Sequence, residues 1–418
     1  MIIADLSSDI MKLNTSLLLL FLLGSAISKA QVMIIFNNNN ATTYSIKGGD
    51  EFESSAIDRE KWMTAFPWAR HLYCSMDVSV YSDGDDLVLK DGQLHITARK
   101  APVTTRAIPY ESDDFNLTCD HKPSVKNLMK FDYQSGLVYS KQQFTYGYYE
   151  INFRADAGNG LWPAFWLFGE ENQEIDIFEI GGLKTHAYHV DIHCKNGCDN
   201  YKRFLGVFRS NWGDYLETDA DWSTSFHTLA INWTTEGITW FIDGTPVAWW
   251  EGKLTNPMSV IANVAVTDKE GSFGGKINER TKFPSEMTVN YIRVWQPDSK
   301  ASLQPVAEQN SSLSTPVIPG QSALKHKTRP EYRNKVIKNY PDRIFAAFNK
   351  SNQLEILLQS VQKSTFIMTI KNTTGNTILE RRINAGMNLI ELGTLTTGNY
   401  EIIFKNDKSQ SSIRLEMP

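Results

Sequence analysis

The chain has 418 residues, too many for one compact core, so two domains with connectors are predicted. Its 42 Lys+Arg against 47 Asp+Glu give a formal charge of −5, and no long basic run marks a nucleic-acid footprint. The mild acidic excess favours solubility and specifies no partner.

Residues 1–30 read as a signal peptide. Met11-Lys12 precedes the apolar run Leu17 to Leu23, and Ser28-Lys29-Ala30 offers a small-residue cleavage site after Ala30. The alternative, a membrane anchor, needs about 20 apolar residues; this run is shorter and no later segment qualifies, so no membrane span is expected. Met1–Ile10 reads as an upstream start. In an exported chain the four cysteines read as two disulfides. Cys194 with Cys198 would close a small loop and leave Cys74 with Cys119, but three connectivities are open, and a zinc site is the less favoured alternative.

Residues 31–296 carry short alternating runs separated by turns. Leu87-Val88-Leu89, Asp91-Gly92 and Leu94–Ala98 read as a hairpin with a type I′ turn. Tyr148–Phe153, Ile238–Ile242 closed by Asp243-Gly244, and Thr288–Trp295 alternate in the same way, and no long helical period is present. The fold class is therefore all-β, a two-sheet sandwich or jelly roll. All eleven tryptophans fall between Trp62 and Trp295. Residues 297–340 read as a linker, with Pro297, Pro305, Pro316, Pro319, a Ser/Asn patch and the basic stretch Lys325–Lys338. Residues 341–418 form a second, small β-rich unit with strands at 354–357, 366–370, 389–392 and 400–404 and no cluster of catalytic residue types.

The chemistry concentrates in Glu174-Ile175-Asp176-Ile177-Phe178-Glu179, just after Trp162-Pro163-Ala164-Phe165-Trp166. Glu174 and Asp176 share one face of a strand, whereas Glu179 falls on the other unless a β-bulge between Asp176 and Glu179 resets the parity. Three acids on one face repel one another and raise some of their pKa values. One carboxyl kept protonated beside another kept ionised is what acid-assisted displacement at a sugar carbon needs. The alternative is an ordinary strand with its acids in solvent. The flanking aromatics weigh against it, since their faces stack on pyranose rings and exclude water. Trp162 and Trp166 share a face and are the candidates for stacking, with burial in the core the alternative for each.

From about Gly49 to Gln296 the sequence resembles glycoside hydrolase family 16. The resemblance rests on Asp50-Glu51-Phe52 with Lys61-Trp62, Ser135–Lys141, Tyr146–Glu150, Gly160–Gly169, the E-I-D-I-F-E segment, and His227–Trp233 through Asp243-Gly244. It implies a concanavalin-like β-jelly roll with a concave cleft and a retaining double displacement. Glu174 would be the nucleophile, Glu179 the general acid and then base, and Asp176 would tune the proton beside the nucleophile. His193 and Asn263 match cleft positions, with a strand-end hydrogen bonder the alternative for Asn263; Trp233 would line the floor, and Trp68 would sit on a subsite loop or cap the core. His186 and His189 lie nearby, and a buried structural histidine is the commoner fate for any one of the three. Glu51 is a calcium candidate on the convex face. Asn290 stands where many members carry Asp, which argues against the ion because an amide is a poorer ligand for it than a carboxylate. No organic cofactor is implied, and a monomer is expected.

The C-terminal unit, with Tyr340-Pro341, Gly375, Gly386, Asn388 and Gly398-Asn399-Tyr400, resembles the sorting domain of type IX secretion, which would make the secretion machinery a partner. Its Tyr-Pro-Asp start and final Met417-Pro418 depart from that pattern. Three functions stay open: endo-hydrolysis of β-1,3- or mixed β-1,3/1,4-glucan, favoured by the W-P-A-F-W run; hydrolysis of a red-algal galactan (agarase, porphyranase or carrageenase type); and non-catalytic carbohydrate binding. Transglycosylation shares the covalent intermediate of the first two. The segment Asn263–Val266, running into Thr267-Asp268-Lys269-Glu270, lacks the Gly-Gly of many laminarinase-type members.

Overall fold

The computed structural model describes residues 32–37, 40–72, 76–107, 128–194 and 211–298, and in the C-terminal part 342–348, 354–359, 364–384, 386–390, 398–407 and 409–417. Two sheets, antiparallel but for the parallel pair of Ser79–Tyr81 and Leu128–Ser135, face each other. The smaller runs in the order Asn211–Glu217, Ala187–His193, Glu174–Glu179, Leu161–Gly169, Met258–Val266, Leu137–Phe144, Trp62–Met63. The larger is built around Gly147–Ala155 and Ser285–Pro297, which pair with each other, with His227–Trp233 and Gly237–Ile242 on one side and Asn40–Asp50 on the other. The chain is an all-β jelly-roll sandwich.

Alternation assigns the faces. Ile151 and Phe153 from the larger sheet meet Ile175, Ile177 and Phe178 from the smaller in the main core, all fully buried. Phe153 stacks on Phe178 with ring centroids 4.3 Å apart, so the contact bridges the two sheets directly beneath the acidic strand. The hairpins close as their sequences predict. Asp91 and Gly92 have φ of 56° and 71°, and Asp243 and Gly244 have φ of 45° and 79°; both pairs have the two positive angles of a type I′ turn. Trp233 is a correction to the sequence reading. It lies 1% exposed in the main core on the larger sheet, giving its indole N–H to the Leu254 carbonyl, and does not line the cleft floor. Alternation places a side chain inward or outward without saying which sheet carries it.

Past the jelly roll, Asp342–Phe348, Leu354–Gln359 and Gly386–Ile390 extend the larger sheet, joined to it through Val32–Asn37. A four-stranded sheet of Thr377–Ile383, Phe366–Lys371, Gly398–Lys405 and Gln410–Met417 covers them. Ile344, Leu354, Ile356 and Leu358 pack there against Phe366, Met368, Ile402 and Phe404 in a separate small core. The sequence-predicted linker at 297–340 lies almost wholly outside the described residues. Among the described residues no helix is long and apolar enough to cross a membrane.

Candidate active site

Glu174–Glu179 is a central strand of the smaller sheet, and its register slips. Against Ala187–His193, Asp176 faces Asp191 but Glu179 faces His189, so three steps on one strand match two on the other. Against Leu161–Gly169, Asp176 faces Trp166 and Phe178 faces Phe165, leaving Ile177 as the extra residue. Ile177 and Phe178 both turn into the core, and Glu179 returns to the side that carries Glu174 and Asp176. The Asp176 carbonyl accepts the Trp240 indole N–H at 3.0 Å from the opposite sheet. A backbone group at a bulge is thereby satisfied inside the core, where an unpaired carbonyl would be costly.

The acids have distinct surroundings. Glu179 is held by the Trp162 indole N–H at 3.0 Å on Oε1 and by His189 Nδ1 at 3.2 Å on Oε2, and its side chain is 15% exposed. Asp176 is buried, hydrogen-bonded to Glu174, and lies 3.3 Å from His193 Nε2. Burial, then the Asp176 charge, pushes the Glu174 carboxyl well above the usual glutamate range, with His193 pulling the other way. Burial, then the charges of Glu179 and Asp191, pushes Asp176 up as well. Two neighbouring carboxyls, each favouring its neutral form, behave as a pair that holds one proton between them. If the proton resides on Asp176, that residue donates to an ionised Glu174. The cluster can thus present a charged nucleophile beside a proton donor held by an indole and an imidazole.

Aromatic rings crowd both ends of this strip. Beside Glu179, Trp162 stacks on Phe273 at 5.1 Å, and Phe273 stacks on Tyr215 at 5.9 Å with Lys184 Nζ 3.6 Å above the Tyr215 ring. Beyond Trp166, Trp68 stacks on Phe66 at 5.1 Å and tilts against Phe168 at 5.2 Å.

Trp162 and Trp166 do share a face, but with different surroundings. Trp162 is half-buried against Glu179, whereas Trp166 is 7% exposed, packed among Phe66, Tyr139 and Trp68. Trp166 gives its indole N–H to Asn263, buried as well, whose amide donates to the Tyr81 hydroxyl at 3.0 Å; that hydroxyl lies 3.2 Å from Asp77. Trp166 and Asn263 therefore belong to a buried polar relay under the aromatic wall. Their place in it limits direct contact with a sugar, although Trp68 remains half-exposed above them. His193 stands beside the acids. Sequence reading missed Asp191, Tyr215 and Phe273, and it favoured a buried structural role for His189. The alternation His189-Val190-Asp191-Ile192-His193, apolar residues inward and ionisable ones outward, was the available signal for two of these. Cys194 is disulfide-bonded; Cys74, Cys119 and Cys198 lie outside the described residues.

On the convex face the calcium candidate Glu51 is already engaged. Both Glu51 oxygens accept from Arg293, Nε at 2.7 Å and Nη2 at 2.9 Å, and the Asn290 amide is tied to Asn152 and Gln93. A guanidinium already neutralises the carboxylate that calcium would need. Among the described residues, Glu174, Asp176 and His193 bring donor atoms within 4.8 Å of one another. That grouping is explained by the acid pair and its imidazole partner.

The family model for glycosyl hydrolases family 16 matches residues 77–293, more than half of the chain. The chain belongs to glycosyl hydrolases family 16. It is a glycoside hydrolase, and its relatives share the central region. A beta-glucanase of Rhodothermus marinus is 27% identical over 286 residues, covering 62% of this chain and 87% of that protein. An endo-1,3-1,4-beta-glycanase of Rhizobium meliloti is 29% identical over 207 residues, where this family 16 chain spans only 41% of the relative's length. A kappa-carrageenase of Pseudoalteromonas carrageenovora is 28% identical over 187 residues, covering 39% of this chain and 47% of that one. Among solved structures, the catalytic domain of an endo-1,3-beta-glucanase (laminarinase) from Thermotoga petrophila matches 62% of the chain and 100% of its own length, with 23% identity and a TM-score of 0.49.

Proposed function

We propose that this glycoside hydrolase is an exported, endo-acting enzyme that cleaves β-1,3- or mixed β-1,3/1,4-glucan with retention of configuration. The observation that carries the reading is the bulged strand, which turns Glu174, Asp176 and Glu179 to one face. In the first half-reaction a Glu174 oxygen attacks the anomeric carbon while Glu179 gives its proton to the departing glycosidic oxygen. The carbon–oxygen bond breaks and a glycosyl ester of Glu174 remains. Glu179, now a carboxylate, takes a proton from water, whose oxygen attacks the same carbon and releases Glu174. Asp176 holds the proton that would otherwise sit on the nucleophile.

The glucan assignment is supported by the names of the relatives, which include a beta-glucanase and an endo-1,3-1,4-beta-glycanase. A red-algal galactan is the second reading. Relatives named kappa-carrageenase and beta-porphyranase B match at 28% and 26% identity, and Lys184 at the edge of the Tyr215–Phe273 group offers a cation to a sulfated sugar. Export rests on the signal-like residues 1–30 and is supported by the disulfide at Cys194. The C-terminal unit is proposed to serve sorting or anchoring.

Reducing-end release from laminarin, barley mixed-linkage glucan, agarose, porphyran and carrageenan, beside a Glu174→Ala control, tests the reading. Release from a glucan that vanishes in the control is expected. Release from a galactan alone would move the substrate to the second reading, and activity surviving in Glu174→Ala would overturn the mechanism.

A further inference from the structure

We infer that Asp191 is a positioning residue: it holds the His193 imidazole against Asp176, and so holds the acid pair in its working arrangement. The inference rests on the retaining-hydrolase reading above. On the strand Ala187–His193, Tyr188, Val190 and Ile192 fill the core, which leaves His189, Asp191 and His193 on the cleft side. Asp191 sits directly across from Asp176, and the two are 5% and 3% exposed. Two buried carboxyls facing each other at such close range need a shared polar partner, because a buried oxygen left without one is costly. His193 Nε2 is that partner, 3.3 Å from Asp176 Oδ2 and 3.6 Å from Asp191 Oδ2.

The neighbouring strand makes room for this arrangement. Gly213 stands in register with Asp191, and a Cβ there would come within 2.6 Å of the Asp191 carboxyl carbon. The carboxyl therefore lies over the one position where no side chain can displace it, and its Oδ1 accepts the Ile192 N–H at 2.8 Å. His193 needs the second anchor because its side chain is 38% exposed. With a single contact it could swing into solvent at little cost. The charged or titratable groups around Asp191 are His189 and His193 on its own strand, Glu174, Asp176 and Glu179 on one neighbour, and Tyr215 on the other. Burial pushes Asp191 up, and the two histidines act against that.

Two effects of opposite sign make the role testable. The Asp191 charge by itself raises the Glu174 carboxyl, whereas His193 lowers it and ranks as the larger of the two. Asp191→Ala in the full chain should release His193, so the low-pH limb of kcat/KM moves to higher pH and kcat falls about 10- to 100-fold with KM little changed. Asp191→Asn keeps an oxygen for the imidazole and removes only the charge, so kcat is largely retained and the limb stays or moves to lower pH. Gly213→Ala, which displaces the carboxyl without changing any charge, should follow Asp191→Ala. Crystal structures of the Asp191 variants give a readout independent of substrate: His193 keeps its contact with Asp176 in Asp191→Asn and loses it in Asp191→Ala. Limbs that move to lower pH in both variants, or a His193 that stays on Asp176 in Asp191→Ala, would overturn the inference. A wild-type chain that cleaves no glucan, with His193 still displaced in the alanine variant, would sink the substrate reading and leave the positioning role standing.

Discussion

Trp162 has one indole N–H and gives it to Glu179, the group assigned to protonate the leaving oxygen. Trp162→Phe keeps a ring for stacking on Phe273 and on a sugar, and removes only the donor. A hydrogen bond to a carboxylate is worth about 1.5–3 kcal/mol, so kcat should fall about 10- to 100-fold while KM changes little. Steady-state kinetics on the preferred glucan checks this, and an unchanged kcat would detach Trp162 from the acid. Glu174 gives a second expectation at this scale. Its carboxyl is raised by burial first and by the Asp176 charge next. A nucleophile must be ionised, and its ionised fraction is lost as pH falls through its pKa. The low-pH limb of kcat/KM should therefore lie above the range of an ordinary glutamate, near 4.3 in model peptides. Asp176→Asn removes the other site of the shared proton but leaves the burial that is the larger cause, so its limb should still lie above the ordinary glutamate range, at whatever activity remains. A pH–rate profile of both forms decides it.

The acidic strand works as an element because an extra residue, Ile177, is accommodated in the core. Its irregular backbone is tied across the sandwich by Trp240 to the Asp176 carbonyl. Trp240→Phe retains most of the apolar volume and takes the indole donor away from that carbonyl, at a cost of about 1–3 kcal/mol. Thermal unfolding should show the loss, and kcat should drop with it, since the bulge aims Glu179. Loss of stability with full activity would show that the bulge holds without the indole. The bulge itself was legible in E-I-D-I-F-E, because Glu179 falls on the wrong face unless one residue is absorbed. The hairpins at Asp91-Gly92 and Asp243-Gly244 were legible for a similar local reason, a demand for positive φ at two positions. Trp240 was not: its partner is 64 residues away on the other sheet, and no period in either segment records that pairing. Trp233 was misplaced for the same reason, since outward and inward are local properties and the choice of sheet is not. Asp191 lies between these cases, visible as an alternating ionisable residue but meaningful only once Gly213 and Asp176 are set on either side.

At the scale of the whole molecule, the strand Val32–Asn37 decides how the two parts behave together. One of its edges pairs with Asn40–Asp50 and the other with Asp342–Phe348, so the C-terminal strands continue the sheet of the jelly roll. Nothing in the sequence marks this pairing, because its partners lie some 300 residues apart. A chain ending at Asp298 would keep the acidic strand, the aromatic walls and the main core, and would lose the outer partner of Val32–Asn37. The exposed strand would then offer a row of unpaired N–H and C=O groups to any other strand. The shortened chain should therefore match the full chain in kcat per folded molecule, unfold at lower temperature, and associate at high concentration. Calorimetry with light scattering on the two chains measures all but the first. Equal stability and a monodisperse shortened chain would make the C-terminal unit a separable module, against the continuous sheet that Val32–Asn37 builds between the two parts.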